Sequence, residues 1–200
     1  MSEVILHSVY CRGDQIKTEA IRIIAECGFD AMSLRALAAA CGITPAAIYT
    51  HFSSKHILLQ DVIIEFLEEV LHSWRFKKKL ARTPAEKIRL FIESYVEYQA
   101  DHLSEQRVFH FDKRSLQPAA RYQVESLMDE FRQELKLLLD AGKSDASFSI
   151  DDTDFVARTL QEVMTQICVT HAERGSCDSR RIIGALCLCA QGLTGSQRPI

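Results

Sequence analysis

The sequence predicts an all-α protein, and three observations predict it. Apolar residues recur at three- and four-residue spacing through most of the 200 residues, the mark of amphipathic helices. No segment alternates apolar and polar residues for long enough to propose a strand. Ser, Thr or Pro before the periodic stretches, and Gly after them, punctuate the chain at helix-length intervals. About nine helices are expected, in an N-terminal domain of residues 1–60 and a C-terminal helical domain of residues 61–200.

Residues 1–12 have no clear period and read as a frayed arm. The first helix is expected from about Asp14 to Cys27, with Ile16, Ala20, Ile23, Ile24 and Cys27 inward. Gly28 stops it, and Phe29 and Met32 plug a small three-helix core. Ser33 can cap a second helix, because its hydroxyl can accept from a free first-turn amide. Leu34, Leu37, Ala38 and Cys41 give that helix one apolar face, and Gly42 supplies the left-handed turn after it. Thr44 caps the third helix, with Pro45 at its first position, where a missing amide is no loss. Ala47, Ile48 and Phe52 continue the inward stripe.

A fourth helix follows Ser53-Ser54 and runs to about Trp74. Its apolar stripe, from Leu58 to Leu71, is too wide for one small neighbour. Its first half is therefore expected to close the N-terminal domain and its second half to pack on the next. The basic run Arg75–Arg82 reads as a solvated interdomain link. Thr83, Pro84 and Glu86 have capping-box spacing and start a fifth helix to about His102. Residues 103–117 read as a short helix and an irregular segment, and Pro118 opens a long helix to about Ala141. The last two long helices span Thr153–His171 and Ser179–Leu193, and the terminal GSQRPI reads as disordered.

Composition limits the function classes. Hydrophobic content of 47% and charged content of 26% suit a globular chain. No secretory signal or membrane-length apolar run is present, so the cytoplasm is the expected location. Seven cysteines lie mostly on apolar faces without a paired Cys-x-x-Cys, which favours core packing over a metal or disulfide site. No cofactor is expected. The neighbouring carboxylates Glu68-Glu69 and Asp151-Asp152 point apart on a helix, and no phosphate loop or nucleophile elbow appears, so no catalytic residue is proposed. The net charge of −3 requires that any DNA-binding surface sort its charges in space.

The stretch Ser33–Lys55 carries the functional signal. Two short helices held by a tight turn make a helix-turn-helix, whose second helix can enter a major groove. The ordered set Ala38, Gly42, Thr44, Ile48-Tyr49, His51-Phe52 and Lys55 resembles the N-terminal domain of the tetracycline-repressor (TetR/AcrR) family. Residues 15–60 carry that resemblance, and the remainder resembles the family in helical architecture. It implies a double-stranded DNA operator and a repressor released by a small-molecule effector. By chemistry and resemblance together, Thr44, Pro45, Ala46 and Thr50 are placed to meet base edges. Tyr49 and His51 would bond phosphates, with Ser33, Arg35 and Lys55 as further backbone anchors. The chain departs from common family members in having no Lys or Arg between Thr44 and His51. That points to apolar contacts and DNA shape in place of guanine readout.

The last two helices are apolar around much of their circumference and must be buried on more than one side. With the resemblance, this predicts a homodimer through residues about 153–193. Phe91, Tyr95, Tyr98, Phe109, Phe111, Met128, Phe131 and Met164 supply an aromatic and Met-rich inventory for an effector site. Basic residues, Arg114 among them, cluster at the irregular segment and suit an amphipathic anion. Val108–Ser115 resembles the family branch that senses acyl-CoA thioesters. The alternative to a DNA-binding regulator is an all-helical dimeric adaptor.

Overall fold

The structure, a computed structural model, describes residues 2–173, 178–196 and 199–200, with side chains described from Arg12 onward except at 172 and 173. Among the described residues nine α-helices and no strand are found. They are α1 Ser2–Cys27, α2 Leu34–Ala40, α3 Pro45–Tyr49, α4 Lys55–Lys77, α5 Pro84–Asp101, α6 Leu103–Asp112, α7 Pro118–Ser144, α8 Thr153–Glu173 and α9 Ser179–Thr194. Short 3-10 turns follow α4 at Lys78–Leu80 and α6 at Lys113–Ser115. The chain packs as two compact units, residues 1–66 with 104–124, and residues 67–103 with 125–200. Segment 104–124 thus packs with the N-terminal residues, although it lies far beyond the boundary expected near residue 60.

In the first unit, Ile16, Ala20 and Ile24 of α1 are buried with Phe29, Met32, Leu37, Ala38, Ile48 and Phe52. Fully burying a Leu, Ile or Phe side chain is worth about 1.5–3 kcal/mol, so this small core rests on few side chains. The first half of α4 adds Leu58, Leu59, Val62, Ile63 and Phe66. From segment 104–124 come Val108, Phe109, Leu116, Ala120 and Val124. Phe109 sits 6.1 Å from the Phe66 ring.

In the second unit, α5, α8 and α9 pack on one another. Thr83 and Glu86 form the reciprocal capping box that starts α5. Trp74, Phe91, Phe131 and Tyr95 make a chain of rings 4.6–5.2 Å apart. Trp74 Nε1 donates to Glu134 at 2.9 Å, which satisfies an indole that is 1% exposed. Thr153 Oγ1 donates to Asp140 at 2.6 Å and ties the start of α8 to α7.

Several expectations are corrected. The arm expected at residues 1–12 is helical from Ser2. Without a Pro in that stretch, extending an existing helix adds one hydrogen bond per residue fixed. Cys27, expected inward, is exposed, and its thiol bonds the Ile23 carbonyl. The basic run is largely exposed, as expected, but it lies inside the second unit instead of linking two domains, and three of its cations are paired: Arg75 with Glu130, Lys77 with Glu97 at 2.6 Å and Lys78 with Glu134 at 3.2 Å. The terminal residues are also partly anchored. Ser149 N–H donates to the Thr194 carbonyl at 2.8 Å, and Ser196 and Ile200 are buried. Residues 197 and 198 of that segment lie outside the described residues.

Candidate nucleic-acid interface

The helix-turn-helix is built by caps at each end of each helix. Ser33 Oγ accepts from Ala36 N at 3.1 Å and starts α2. At its other end, Gly42 N–H donates to Ala39 O at 3.1 Å and Ile43 N–H to Ala38 O at 2.9 Å. That pair of bonds is a Schellman turn, and Gly42 takes the left-handed φ of +65° that it needs. Thr44 Oγ1 accepts from Ala47 N at 3.3 Å, with Pro45 opening α3. Ile48 is fully buried and fixes which face of α3 turns outward.

The outward face carries the side chains expected to meet DNA. Ser33, Arg35, Thr44, Pro45, Ala46, Tyr49 and Thr50 are all exposed, Tyr49 by 57%. Thr50 donates its hydroxyl to Ala47 O at 2.7 Å, which leaves oxygen lone pairs facing solvent. His51 is half-buried, and a Cβ built on Gly13 of α1 would lie 3.7 Å from its Nδ1.

Lys55 is placed differently from a free phosphate anchor. Its Nζ donates to the carbonyls of Phe29, Asp30 and Met32 at 3.3–3.4 Å. It also stands 4.5 Å above the Phe29 ring. The ammonium holds the loop that leads into α2. Sequence spacing located this lysine but could not show which oxygens it meets.

Several charges of the first unit are paired. Lys17 pairs with Glu65 at 2.6 Å and Asp14 at 3.2 Å, and Arg22 with Glu19 and Glu26. Burial lowers the Lys17 pKa, but its two carboxylates outweigh that and raise it overall. Among the described side chains of α1, Asp14, Glu19 and Glu26 are thus matched by its own cations, while Arg35 of α2 lies exposed.

The expected effector residues fall in both units. Phe91, Tyr95 and Phe131 join in the ring chain of the second unit, and Met164 is fully buried there. Tyr95 shares a hydrogen bond of 3.2 Å with Thr165, and burial pushes its phenol pKa up. Tyr98 and Met128 are half-buried, the Tyr98 ring stacked on His102. Phe109, Phe111 and Arg114 belong to the first unit; Phe109 is buried, Phe111 is 40% exposed and Arg114 is exposed. Several buried polar residues were not anticipated, among them Gln106 of the first unit, 3% exposed with an unpartnered Oε1, and Gln161 and Gln99 of the second. Gln161 donates to Met128 O at 3.0 Å. Gln99 is 3% exposed, and its Oε1 has no hydrogen-bond partner. Its place four residues after Tyr95, within the apolar stripe of α5, was the available signal. Among the described residues no group of three or more His, Cys, Asp or Glu could hold a metal ion; Cys168 and Cys187 are buried and Cys177 lies outside those residues.

Comparison with known proteins agrees with this geometry. Residues 16–62 match the model of bacterial regulatory proteins of the tetR family, and residues 81–187 match the tetracyclin repressor-like C-terminal domain. The HTH-type transcriptional repressor KstR2 of Mycolicibacterium smegmatis is 27% identical over 191 residues, 93% of this chain and 92% of that protein. A tetR-family regulatory protein from Rhodococcus RHA1 superposes with a TM-score of 0.84 at 21% identity, covering 94% of this chain and 98% of that one. AibR, solved in complex with isovaleryl coenzyme A and operator DNA, superposes with a TM-score of 0.77 at 16% identity, covering 92% and 99%. With family matches over both its helix-turn-helix and its C-terminal helices, this chain belongs to the TetR family of bacterial DNA-binding transcriptional regulators.

Proposed function

We propose that this regulator is a homodimeric repressor that leaves a palindromic operator when a small amphipathic or hydrophobic effector, an acyl-CoA, binds its C-terminal domain. The observation that carries the DNA part is the exposed face of α3, rigidly capped, with Tyr49 outward and Ile48 inward. Ser33, Arg35, Tyr49 and His51 bond phosphates in this reading, and Thr44, Pro45, Ala46 and Thr50 meet base edges. Exposed Phe155 and Leu188, at 62% and 72%, support pairing of α8 and α9 with a second copy. KstR2 is a transcriptional repressor, and AibR was solved in complex with isovaleryl coenzyme A and operator DNA; both support the outcome and the effector class. A protein of this kind works at the chromosome, in the cytoplasm.

For the effector, the carrying observation is Gln99. A buried amide oxygen without a partner costs about 1–3 kcal/mol. A ligand hydrogen-bond donor among the aromatic side chains of the second unit would recover that cost. The effector acts because it binds the DNA-free state more tightly, as linkage requires.

The test starts with a duplex selected by the protein from a random library. Its affinity is then measured against salt. A DNA-binding dimer gives a steep fall of log affinity with log salt, at about 0.9 per phosphate neutralised; a flat line favours the adaptor. Isovaleryl-CoA, longer acyl-CoAs and free CoA are next compared for release of the duplex and for thermal shift. Release by an acyl-CoA but not by CoA is expected, and Gln99→Leu should keep DNA affinity while losing that response. Equal or absent shifts across the panel remove the acyl-CoA reading.

A further inference from the structure

The loop from Gly28 to Ser33 carries the chain from α1 into α2, so its placement sets where the helix-turn-helix begins. Gly28 turns left-handed at φ +83° and closes on Ile24 O at 2.7 Å. The loop's carbonyls at Phe29, Asp30 and Met32 are gathered by Lys55. The Phe29 ring, 1% exposed, is met edge-on by His56 at 5.2 Å. The remaining handle is the Phe29 amide, which donates to Asp112 Oδ1 at 3.0 Å, across 83 residues of sequence.

Asp112 is the last residue of α6. A carboxylate is disfavoured there, because the C-terminal end of a helix already carries partial negative charge. Helix stability therefore does not explain it, whereas a part-buried amide that needs an acceptor does. At its C-terminal end, segment 104–124 runs within α7 into residues of the second unit, whereas α6 begins at Leu103, just after the non-helical His102.

We propose that Asp112 is a positioning residue for DNA binding: its carboxylate fixes the Phe29 amide and, with Lys55, the lead into α2 and α3. DNA affinity then depends on a residue of the C-terminal half of the sequence, acting through the Phe29 amide. This rests on the reading that α2 and α3 bind DNA.

Full-length protein and a duplex selected by the unaltered protein test it. Asp112→Ala should weaken binding about tenfold, the size of one lost charge-assisted hydrogen bond. Asp112→Asn keeps an acceptor oxygen and should stay within about threefold of the parent. Amide hydrogen exchange gives a second readout: Phe29 should be protected in the parent and in Asp112→Asn, and exposed to exchange in Asp112→Ala. Equal affinity of Asp112→Ala and the parent would overturn the proposal, as would an unprotected Phe29 amide in the parent, a result that stands even if Asp112→Ala does not fold. Failure of the parent to select any duplex would instead bring down the DNA reading, and this proposal with it.

Discussion

Phe148 lies across the backbone of Gly142, to whose carbonyl its own amide bonds at 2.9 Å. A Cβ on Gly142 would fall inside the ring, so the glycine serves close approach and not backbone freedom. Gly142→Ala should cost about 1–3 kcal/mol of stability in urea unfolding, because the ring must leave its place. Lys55 supports a second prediction at this scale. Its three carbonyl contacts mean that Lys55→Met should lower stability by about 1–2 kcal/mol. It should also leave the salt slope of DNA binding unchanged, whereas loss of exposed Arg35 should reduce that slope by about 1. The ordered set that ends in His51-Phe52 and Lys55 made it recognisable in the sequence. Its partners, 23 to 26 residues upstream, became visible only when α1 and α4 were packed.

Helix ends were the most legible elements, because a cap is a contact between residues three or four apart. Ser33, Thr44 and Thr83 all accept the bonds their spacing predicts. Thr83→Ala should cost about 1 kcal/mol by thermal or urea unfolding. Its partner Glu86 accepts from the backbone amides of Arg82 and Thr83, which hold its pKa below the usual 4.5. A lowered carboxylate pKa adds stability that is present above the unfolded value and disappears as pH falls through the folded one. The stability difference between the parent and Glu86→Gln should therefore be constant at neutral pH and disappear in acid as the pH falls below the usual 4.5 and through the lowered folded value. The opposite trend would remove the capping box as the cause. The extent of α1 was not legible in this way. Residues 2–13 lack an apolar stripe, and helix propagation needs none once Ile16, Ala20 and Ile24 are buried.

At the scale of the whole molecule, the exposed Leu188 of α9 is the position to challenge. Leu188→Glu places a charge on the face proposed to meet a second copy. Light scattering should then report a monomer, and DNA affinity should fall about 100-fold or more as two half-site contacts become independent. A dimer that persists with full affinity would move the interface elsewhere. Taken alone, the sequence determined the helical class, the order of the helices, their caps and the exposed face of α3, since each follows from contacts within one or two helical turns. Tertiary structure alone decided that segment 104–124 packs with the N-terminal residues, that Asp112 reaches Phe29 and that cations in the last turn of α4 are matched by acids of α5 and α7. Those pairings join residues 20 to 83 positions apart, and no local period or propensity encodes a partner at that distance; only the burial of shared apolar surface brings them together.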